Sequence, residues 1–203
     1  MSIRTCEELS DRLDELLGWR KKEITDIKGL VDAAASAGSR RTSLLRCGVA
    51  ILYAHWEGFI KEAATSYLEF VSRKQLPYNE LAPNFVAVGI KSLLNRASQS
   101  KRASDHNELV TFFLTKMKER SSLPHKAGID TESNLSSKVL REIIEKLGFD
   151  YSFYVTKEHL INENLVKKRN TIAHGSYLLI DAASFGELVF ECSVSAQLAH
   201  RVG

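Results

Sequence analysis

The sequence predicts an all-α fold, a single domain built as an antiparallel helical bundle with additional helices. Three observations support this prediction. Apolar residues recur at helical spacing along almost the whole chain. Only three prolines and eleven glycines interrupt the 203 residues, so long helices can form. No run of alternating apolar and polar residues indicates a sheet, and Tyr177 to Ile180 could at most form a short extended piece.

Composition and charge restrict the class of protein. A chain of 203 residues suffices for one domain, 1–203, and no repeat or composition shift marks a boundary. The net charge of +3 does not by itself indicate a nucleic-acid binder. We expect a cytoplasmic protein with no membrane span, since no uncharged apolar stretch of about 18 residues exists. The widely spaced Cys6, Cys47 and Cys192 are expected to be reduced and partly buried.

Two long helices are predicted in the N-terminal part. Thr5-x-x-Glu8 matches a capping box that opens an N-terminal helix over 5–35, followed by a turn at 35–39. A second helix covers about 42–73 and carries an apolar stripe, which we interpret as core because packing alone explains its aromatic residues. The stripe consists of Leu45, Val49, Leu52, Trp56, Phe59, Ala63, Tyr67 and Phe70.

Shorter helices are predicted in the rest of the chain. The longest loop, Ser121 to Asn134, has no periodicity and is a candidate for a mobile or binding element. The predicted helices are about Phe85–Ala97, about Asn107–Arg120 after the capping signal Asp105-x-x-Glu108, about Ser136–Leu147 with a stop at Gly148, from a Thr156 cap to Gly175, and from the capping signal Ser184-x-x-Glu187 to about His200.

The segment Leu165–Gly175 carries the candidate functional residues. If it is one helix, Arg169 lies in the middle of an apolar stripe, and a buried guanidinium is costly unless an anionic or acceptor-rich group meets it. Asn170 and His174 are four residues apart, so they are neighbours on one flank of the helix. The apolar residues on the inward face with Arg169 are Leu165, Val166, Ile172 and Ala173.

These three polar side chains suit phosphate chemistry. Histidine exchanges protons near neutral pH, arginine neutralises charge on phosphoryl oxygens, and asparagine can orient a hydroxyl or a water. RNA supplies its own 2′-hydroxyl as nucleophile, so we expect neither a metal nor another cofactor. One histidine cannot easily act as both base and acid, and a symmetric dimer would supply the second. From spacing alone a structural role stays open, because Arg-x4-His is common on helices.

Two strings resemble a known family. Arg169-Asn170-Thr171-Ile172-Ala173-His174-Gly175 resembles the Arg-x4-His motif of the HEPN superfamily, which lies near the end of a late helix in an antiparallel bundle. Residues 46–59, with Trp56-Glu57-Gly58-Phe59, resemble an early helix of a stand-alone prokaryotic HEPN branch often encoded in toxin–antitoxin and phage-defence loci. Asn134-Leu135-Ser136 and Leu147-Gly148, the ends of the fifth predicted helix, fit this branch too. The HEPN-like core covers about 42–200.

The resemblance implies an endoribonuclease that cleaves RNA as a homodimer and is restrained either by a cognate antitoxin protein or by its own assembly. Arg169 would stabilise the phosphate, Asn170 would position RNA or His174, and His174 would be the catalytic histidine. Two alternatives remain: the same helices could form a catalytically inactive HEPN module that binds RNA, a nucleotide or a protein partner, or a purely structural adaptor.

Glu57 and Tyr177 are candidate supporting residues. Glu57 lies beside the apolar stripe of the second helix and needs a partner, which is either Arg169 or Lys61, four residues on. Some HEPN toxins carry, two residues after the histidine, a tyrosine that a nucleotidyltransferase modifies. Here Tyr177 follows His174 by three residues, which argues against that inhibition and favours a packing tyrosine.

Lys167 and Lys168 adjoin the motif and are candidate contacts to the RNA backbone, whose recognition is largely electrostatic. The alternative for both is an ordinary solvated helix surface. His55 precedes Trp56 and lies off the apolar stripe, so we expect a solvated or partner-facing side chain. No metal site is expected, because the remaining histidines have no neighbouring cysteine or carboxylate at a spacing suited to zinc.

Overall fold

The computed structural model describes residues 2–34, 38–126 and 128–201, with their side chains except at 191 and 193–201. In these ranges the chain forms α-helices and no β-strand, which confirms the all-α prediction. The helices are α1 (Cys6–Ala33), α2 (Ser39–Lys74), α3 (Pro83–Gly89), α4 (Lys91–Gln99), α5 (Ala103–Thr111), α6 (Ser137–Lys146), α7 (Ser152–Val155), α8 (Lys167–Ala173) and α9 (Ala182–Arg201). A 3-10 turn covers Tyr78–Glu80, and π-helical segments cover Phe112–Lys116 and Leu160–Val166.

The long helices α1 and α2 form an antiparallel pair. Arg20 Nη2 lies 2.7 Å from Glu62 Oε1, and His55 Nε2 lies 2.7 Å from Glu23 Oε2. Residue numbers therefore decrease along α2 as those of their partners increase along α1, as in an antiparallel pair. The capping box at Thr5 is present, and the apolar stripe of α2 is buried or packed against the core, as predicted. The predicted turn at 35–39 lies partly outside the described residues.

The hydrophobic core has two parts. The main cluster joins α1, α2, α6, α7, α9 and the π-helical segment before α8. A smaller cluster of Tyr78, Val86, Ile90 and Phe112 holds α3, α4 and α5 together. The motif helix therefore packs on the main core, while α5 extends from the smaller one with most of its side chains exposed.

Two predicted helices differ in the structure. The helix predicted over 85–97 is divided into α3 and α4, because Ile90 has φ −105° and ψ 14° and turns its buried side chain into the smaller cluster. The next helix begins at Ala103, four residues before its predicted start, and its helical continuation ends at Lys116 rather than 120. Asp105 and Glu108 do not form the predicted capping box, since both carboxylates pair with Arg96 of α4.

The caps of the later helices are partly as predicted. Gly148 and Gly175 have φ of +81° and +76°, which confirms both as helix stops. Thr156 does not open a helix, because it ends α7 instead. The last helix begins at Ala182, and Asp181 rather than Ser184 is its capping acceptor: Asp181 Oδ1 accepts from the Ser184 backbone N–H at 2.8 Å.

The long loop is packed against the core over much of its length. Leu123, Ile129 and Thr131 are buried, and Lys146 Nζ donates to the Gly128 carbonyl at 3.1 Å. Its last residues approach α2 and α8, so the loop contributes to the motif surface.

Two further features of the fold are the exposure of the cysteines and the polarity of the helices. Among the described residues the three cysteines form no disulfide; Cys6 and Cys47 are exposed and only Cys192 is buried, so the expected burial holds for one of them. In the part of the chain that the structure describes, none of the helices combines the length and the apolar character needed to cross a bilayer.

Candidate functional site

The motif lies on a helix whose phase is set by a π-helical segment. The backbone N–H of Lys167 donates to the carbonyl of Asn162, five residues back, where an α-helix would bond four back. One extra residue in a turn rotates everything after it by roughly 100°. Leu165 and Val166, inside the π-helical segment, are buried as predicted, but Ala173 at the end of α8 is exposed. Such π-helical turns are frequent at functional sites.

Arg169 is half-buried and contacts two other elements. Its guanidinium carbon lies 3.8 Å from the centre of the Tyr53 ring on α2. Its Nη2 donates to the carbonyl of Ser133 and to Oδ1 of Asn134, both at 3.3 Å. Its Nε is buried and has no hydrogen-bond partner among the residues described. The acceptor-rich surroundings expected for this guanidinium are therefore supplied by an aromatic face and a loop.

Glu57 has neither of its two predicted partners. This half-buried side chain forms no ion pair or hydrogen bond with Arg169 or with Lys61, so both pairings were wrong. Its charge acts on Tyr53 instead. Burial raises the pKa of the Tyr53 phenol, Glu57 acts in the same direction, and the Leu135 amide and Arg169 guanidinium oppose the rise.

Asn170 joins the same group of contacts through Asn134. Its Nδ2 donates to Asn134 Oδ1 at 3.4 Å, so this one oxygen accepts from both Arg169 and Asn170. The sequence predicted no role for Asn134 beyond the start of a helix, and Tyr53 was not among the predicted site residues. Asn134 belongs to Asn134-Leu135-Ser136, which fits the HEPN branch, and this string was the one sequence feature that could have pointed to Asn134.

His174 is exposed at the C-terminal cap of α8. Gly175, with φ +76°, donates its N–H to the Ile172 carbonyl, and Ser176 donates to the Thr171 carbonyl, both at 3.0 Å. These two bonds form a Schellman motif, which fixes the backbone of His174 and turns the chain away from the helix. The imidazole therefore faces solvent beside Asn170, one turn after it.

The chain that leaves α8 brings a second arginine to this surface. Arg46 of α2 donates from Nη2 to the Ser176 carbonyl at 3.0 Å, and its guanidinium carbon lies 5.6 Å from the centre of the Tyr177 ring. Tyr177 is 70% exposed, so it packs against the arginine and leaves the rest of its surface open. Arg46 was not among the site residues predicted from the sequence.

The two lysines before Arg169 differ in their surroundings. Lys167 Nζ lies 2.6 Å from Glu163 Oε2, and this hydrogen bond lowers the pKa of the glutamate. Lys168 is half-buried and Lys167 is exposed. Lys168, Arg46 and Arg169 give the motif surface an excess of positive charge, whereas the charge of Lys167 is offset by Glu163.

Comparison with known proteins assigns the chain to a family. The model of the RiboL-PSP-HEPN family matches residues 15–192, which is most of the chain. No curated protein and no solved structure matches it. Within the described ranges, no three His, Cys, Asp or Glu side chains come together as a metal-binding group. The matched residues contain α8, the long loop and α2, and the chain belongs to the RiboL-PSP-HEPN family.

Proposed function

We propose that this protein is a metal-independent endoribonuclease whose site is completed by a second copy of the chain. The observation that carries the proposal is the pairing, on one short helix, of an exposed His174 with a fixed, half-buried Arg169. An imidazole that reaches solvent can exchange protons with a substrate, and a fixed guanidinium can meet a phosphate. Membership of a HEPN family supports it, because HEPN modules are commonly ribonuclease-like.

The proposed reaction is an internal transfer of phosphate. The 2′-oxygen of one nucleotide forms a bond to the adjacent phosphorus while the bond to the 5′-oxygen of the next nucleotide breaks. One His174 takes the proton of the 2′-hydroxyl, and His174 of the second copy gives a proton to the leaving 5′-oxygen. The products are a 2′,3′-cyclic phosphate and a 5′-hydroxyl. Arg169 neutralises the charge that develops on the non-bridging oxygens.

The neighbouring side chains have supporting roles in the proposal. Asn170 orients the RNA or the imidazole of His174. Lys167 and Lys168 bind the flanking phosphates, which makes RNA binding weaker in high salt. Tyr177 stays beside the site through its contact with Arg46. The carboxylate of Glu57 does not pair with Arg169, and its charge raises the pKa of the Tyr53 phenol instead. We place the activity in a bacterial conflict system in which an antitoxin protein restrains the homodimer.

Two observations favour a second candidate function, a HEPN module that binds RNA, a nucleotide or a protein without cleaving. No hydrogen bond joins the His174 side chain to Arg169 or Asn170, and part of the hydrogen-bonding capacity of Arg169 is already used by the loop. RNA binding that survives His174→Ala and weakens with salt, with no cleavage by either protein, would favour this function.

The test compares wild-type protein with His174→Ala on a mixed RNA pool in the presence of EDTA. We expect wild type to leave cyclic-phosphate ends and the variant to cleave on the order of 10²–10⁴-fold more slowly, the usual effect of losing a general acid or base. His159→Ala is the matched control, because His159 is also exposed and lies outside the motif. It should cleave like wild type.

Both variants must first be shown to be folded and of the same oligomeric state as wild type. Absence of cleavage by wild type across several RNAs would contradict the ribonuclease function. Equal cleavage by wild type and His174→Ala would remove His174 from the reaction.

A further inference from the structure

Arg169 lies where three separate parts of the fold meet: α8, the middle of α2 and the end of the long loop. From these contacts we infer that Tyr53 and Asn134 are positioning residues, which hold the Arg169 guanidinium in place and keep its charge available to a phosphate. The inference rests on the proposed function, and it names residues that touch Arg169 rather than the substrate.

The guanidinium of Arg169 packs on the buried ring of Tyr53. Its side chain is 3% exposed, and the Arg169 guanidinium carbon lies 3.8 Å from the ring centre, well inside the range of cation–π contacts. Its hydroxyl accepts from the backbone N–H of Leu135 at 2.7 Å. The same side chain therefore supports Arg169 through its ring face and holds the end of the loop through its hydroxyl.

Asn134 holds the Arg169 guanidinium from a second side; we call Tyr53 and Asn134 together the Arg169 clamp. Its Oδ1 accepts from Arg169 Nη2 at 3.3 Å and from Asn170 Nδ2 at 3.4 Å. Because both partners can only donate through these atoms, the amide must present its oxygen to α8. The backbone of Asn134 is fixed as well, since its N–H donates to the Thr131 carbonyl at 3.0 Å and its carbonyl accepts from Ser136 at 2.7 Å.

The loop adopts a costly backbone just before Asn134. Glu132 and Ser133 have φ of +54° and +55°, a left-handed conformation that side-chain-bearing residues rarely adopt twice in succession. Asp130 Oδ1 accepts from the Glu132 N–H at 2.8 Å, and Thr131 is buried, so local contacts hold this conformation. Its result is that the Ser133 carbonyl reaches Arg169.

The groups that hold Arg169 are all neutral. No carboxylate lies within ion-pair distance of it among the described residues. A guanidinium that is held by neutral acceptors attracts a phosphate with its full positive charge. A carboxylate paired with the guanidinium would offset that charge and weaken the attraction. Among the described residues, the arginines that do pair with a carboxylate are Arg12, Arg20, Arg73, Arg96 and Arg141.

The first test changes the acceptor at residue 134 in two ways. Asn134→Ala removes the acceptor and frees the guanidinium, and Asn134→Asp keeps the acceptor but adds a carboxylate beside it. We expect both to lower kcat for RNA cleavage by about 10- to 100-fold with a smaller change in KM, as expected when a group that acts in the transition state is displaced or neutralised. Asn84→Ala, which removes a side chain that bonds the Lys146 carbonyl, is the matched control and should keep the wild-type kcat.

Chemical rescue gives a readout that a merely structural role would not move. Arg169→Ala leaves a space above Tyr53, and millimolar guanidinium chloride, below denaturing concentration, should restore part of the lost cleavage. The rescue should fall at least about tenfold in Arg169→Ala/Asn134→Ala and persist in Arg169→Ala/Asn84→Ala, because only the former lacks the acceptor that orients the ion. Equal rescue in both double variants would overturn the inference.

A measurement without RNA separates this inference from the proposed function. The side-chain Nε–H of Arg169 is buried, so its ¹⁵N-resolved NMR signal, assigned by its loss in Arg169→Lys, should exchange slowly with water. Asn134→Ala and Tyr53→Leu should speed that exchange at least about tenfold, and Asn84→Ala should not. If wild type cleaves no RNA, the ribonuclease proposal fails, and the exchange rate alone tests whether Tyr53 and Asn134 hold Arg169 in place. Unchanged exchange in Asn134→Ala and Tyr53→Leu would overturn the inference.

Discussion

The side chain of His55 is buried between α1 and α2, although its position off the apolar stripe of α2 predicts a solvated residue. The stripe faces the centre of the bundle, and the adjacent face of α2 is covered by α1, which the spacing of one helix does not reveal. The imidazole packs edge-on against Trp19, with ring centres 5.0 Å apart. Its Nε2 lies 2.7 Å from Glu23 Oε2, in an orientation that forms no hydrogen bond.

Burial lowers the pKa of His55 below its ordinary 6.5, and Arg20 adds to the effect while Glu23 opposes it. Between the folded and unfolded pKa values, the unfolded chain binds more protons than the folded one, so stability is lost as the pH falls below about 6.5. We expect the free energy of unfolding, measured by urea denaturation, to decrease between about pH 7.5 and about pH 5.5, and His55→Gln to flatten this dependence.

The control is His174→Gln, which changes an exposed histidine and should retain the acid dependence of wild type. Glu8, Asp150 and Asp181 also have lowered pKa values, each through hydrogen bonds that favour the carboxylate. Their contributions are lost only as the pH falls below their ordinary values of 4.5 and 3.8, a separate range. An undiminished slope in His55→Gln above about pH 5 would assign the effect to another group.

The candidate site could be predicted from the sequence only where its residues are close along the chain. Arg169, Asn170 and His174 lie within six residues and form a recognisable string. Tyr53 and Asn134 lie 116 and 35 residues before Arg169, and only the folded chain brings them to it. The wrong pairings of Glu57 have the same origin, since they were chosen by charge without knowledge of the acceptors that the loop provides.

Helix ends were predictable where a glycine or a capping box fixes them locally. At Thr5, Gly148 and Gly175 the backbone requirement lies within a few residues, and the structure agrees. The break at Ile90 and the π-helical turn before α8 depend on which side chains the core accepts, so the sequence of the helix alone does not specify them. The π-helical turn matters most, because it decides which way the motif faces.

Two glycines in the paired helices should respond oppositely to the same substitution. A Cβ on Gly48 of α2 would lie 2.7 Å from the ring of the buried Phe185 of α9, so Gly48→Ala must displace that ring. We expect a loss of about 1–3 kcal/mol in the free energy of unfolding, the usual cost of overpacking. Gly29→Ala has open space around its Cβ and should stabilise α1 by about 0.5–1 kcal/mol.

Thermal and urea denaturation of both variants measure this difference. Because Gly29 and Gly48 both lie inside helices, the gain in helix propensity is common to them. The contrast therefore reports the contacts of the added Cβ, chiefly with Phe185 of α9 and, at 3.3 Å, with Ile27 of α1. Equal stabilisation by the two substitutions would mean that α9 does not pack on α2 at Gly48.

The exposed apolar side chains of the whole molecule lie in separate places. After α8, Tyr177 and Leu179 point outward while Leu178 and Ile180 pack inward, so two large side chains stand on the surface that carries His174. A second exposed group, Val110, Phe113 and Leu114, lies on α5 and its continuation, beside the smaller core cluster. Exposed apolar groups of this kind mark contacts between proteins. The proposed composite site requires that the contact between two copies involve the first group.

We therefore expect Leu179→Glu to weaken the homodimer, since a carboxylate in place of a leucine that is 74% exposed in one copy would be buried without a partner in the dimer. The dissociation constant from light scattering or sedimentation should rise at least about tenfold, and RNA cleavage should fall in parallel at concentrations where the dimer dissociates. Leu114→Glu is the matched control, because Leu114 is 78% exposed and lies away from the motif. If Leu114→Glu dissociates the dimer and Leu179→Glu does not, the copies meet through α5, and two His174 side chains cannot share one RNA phosphate.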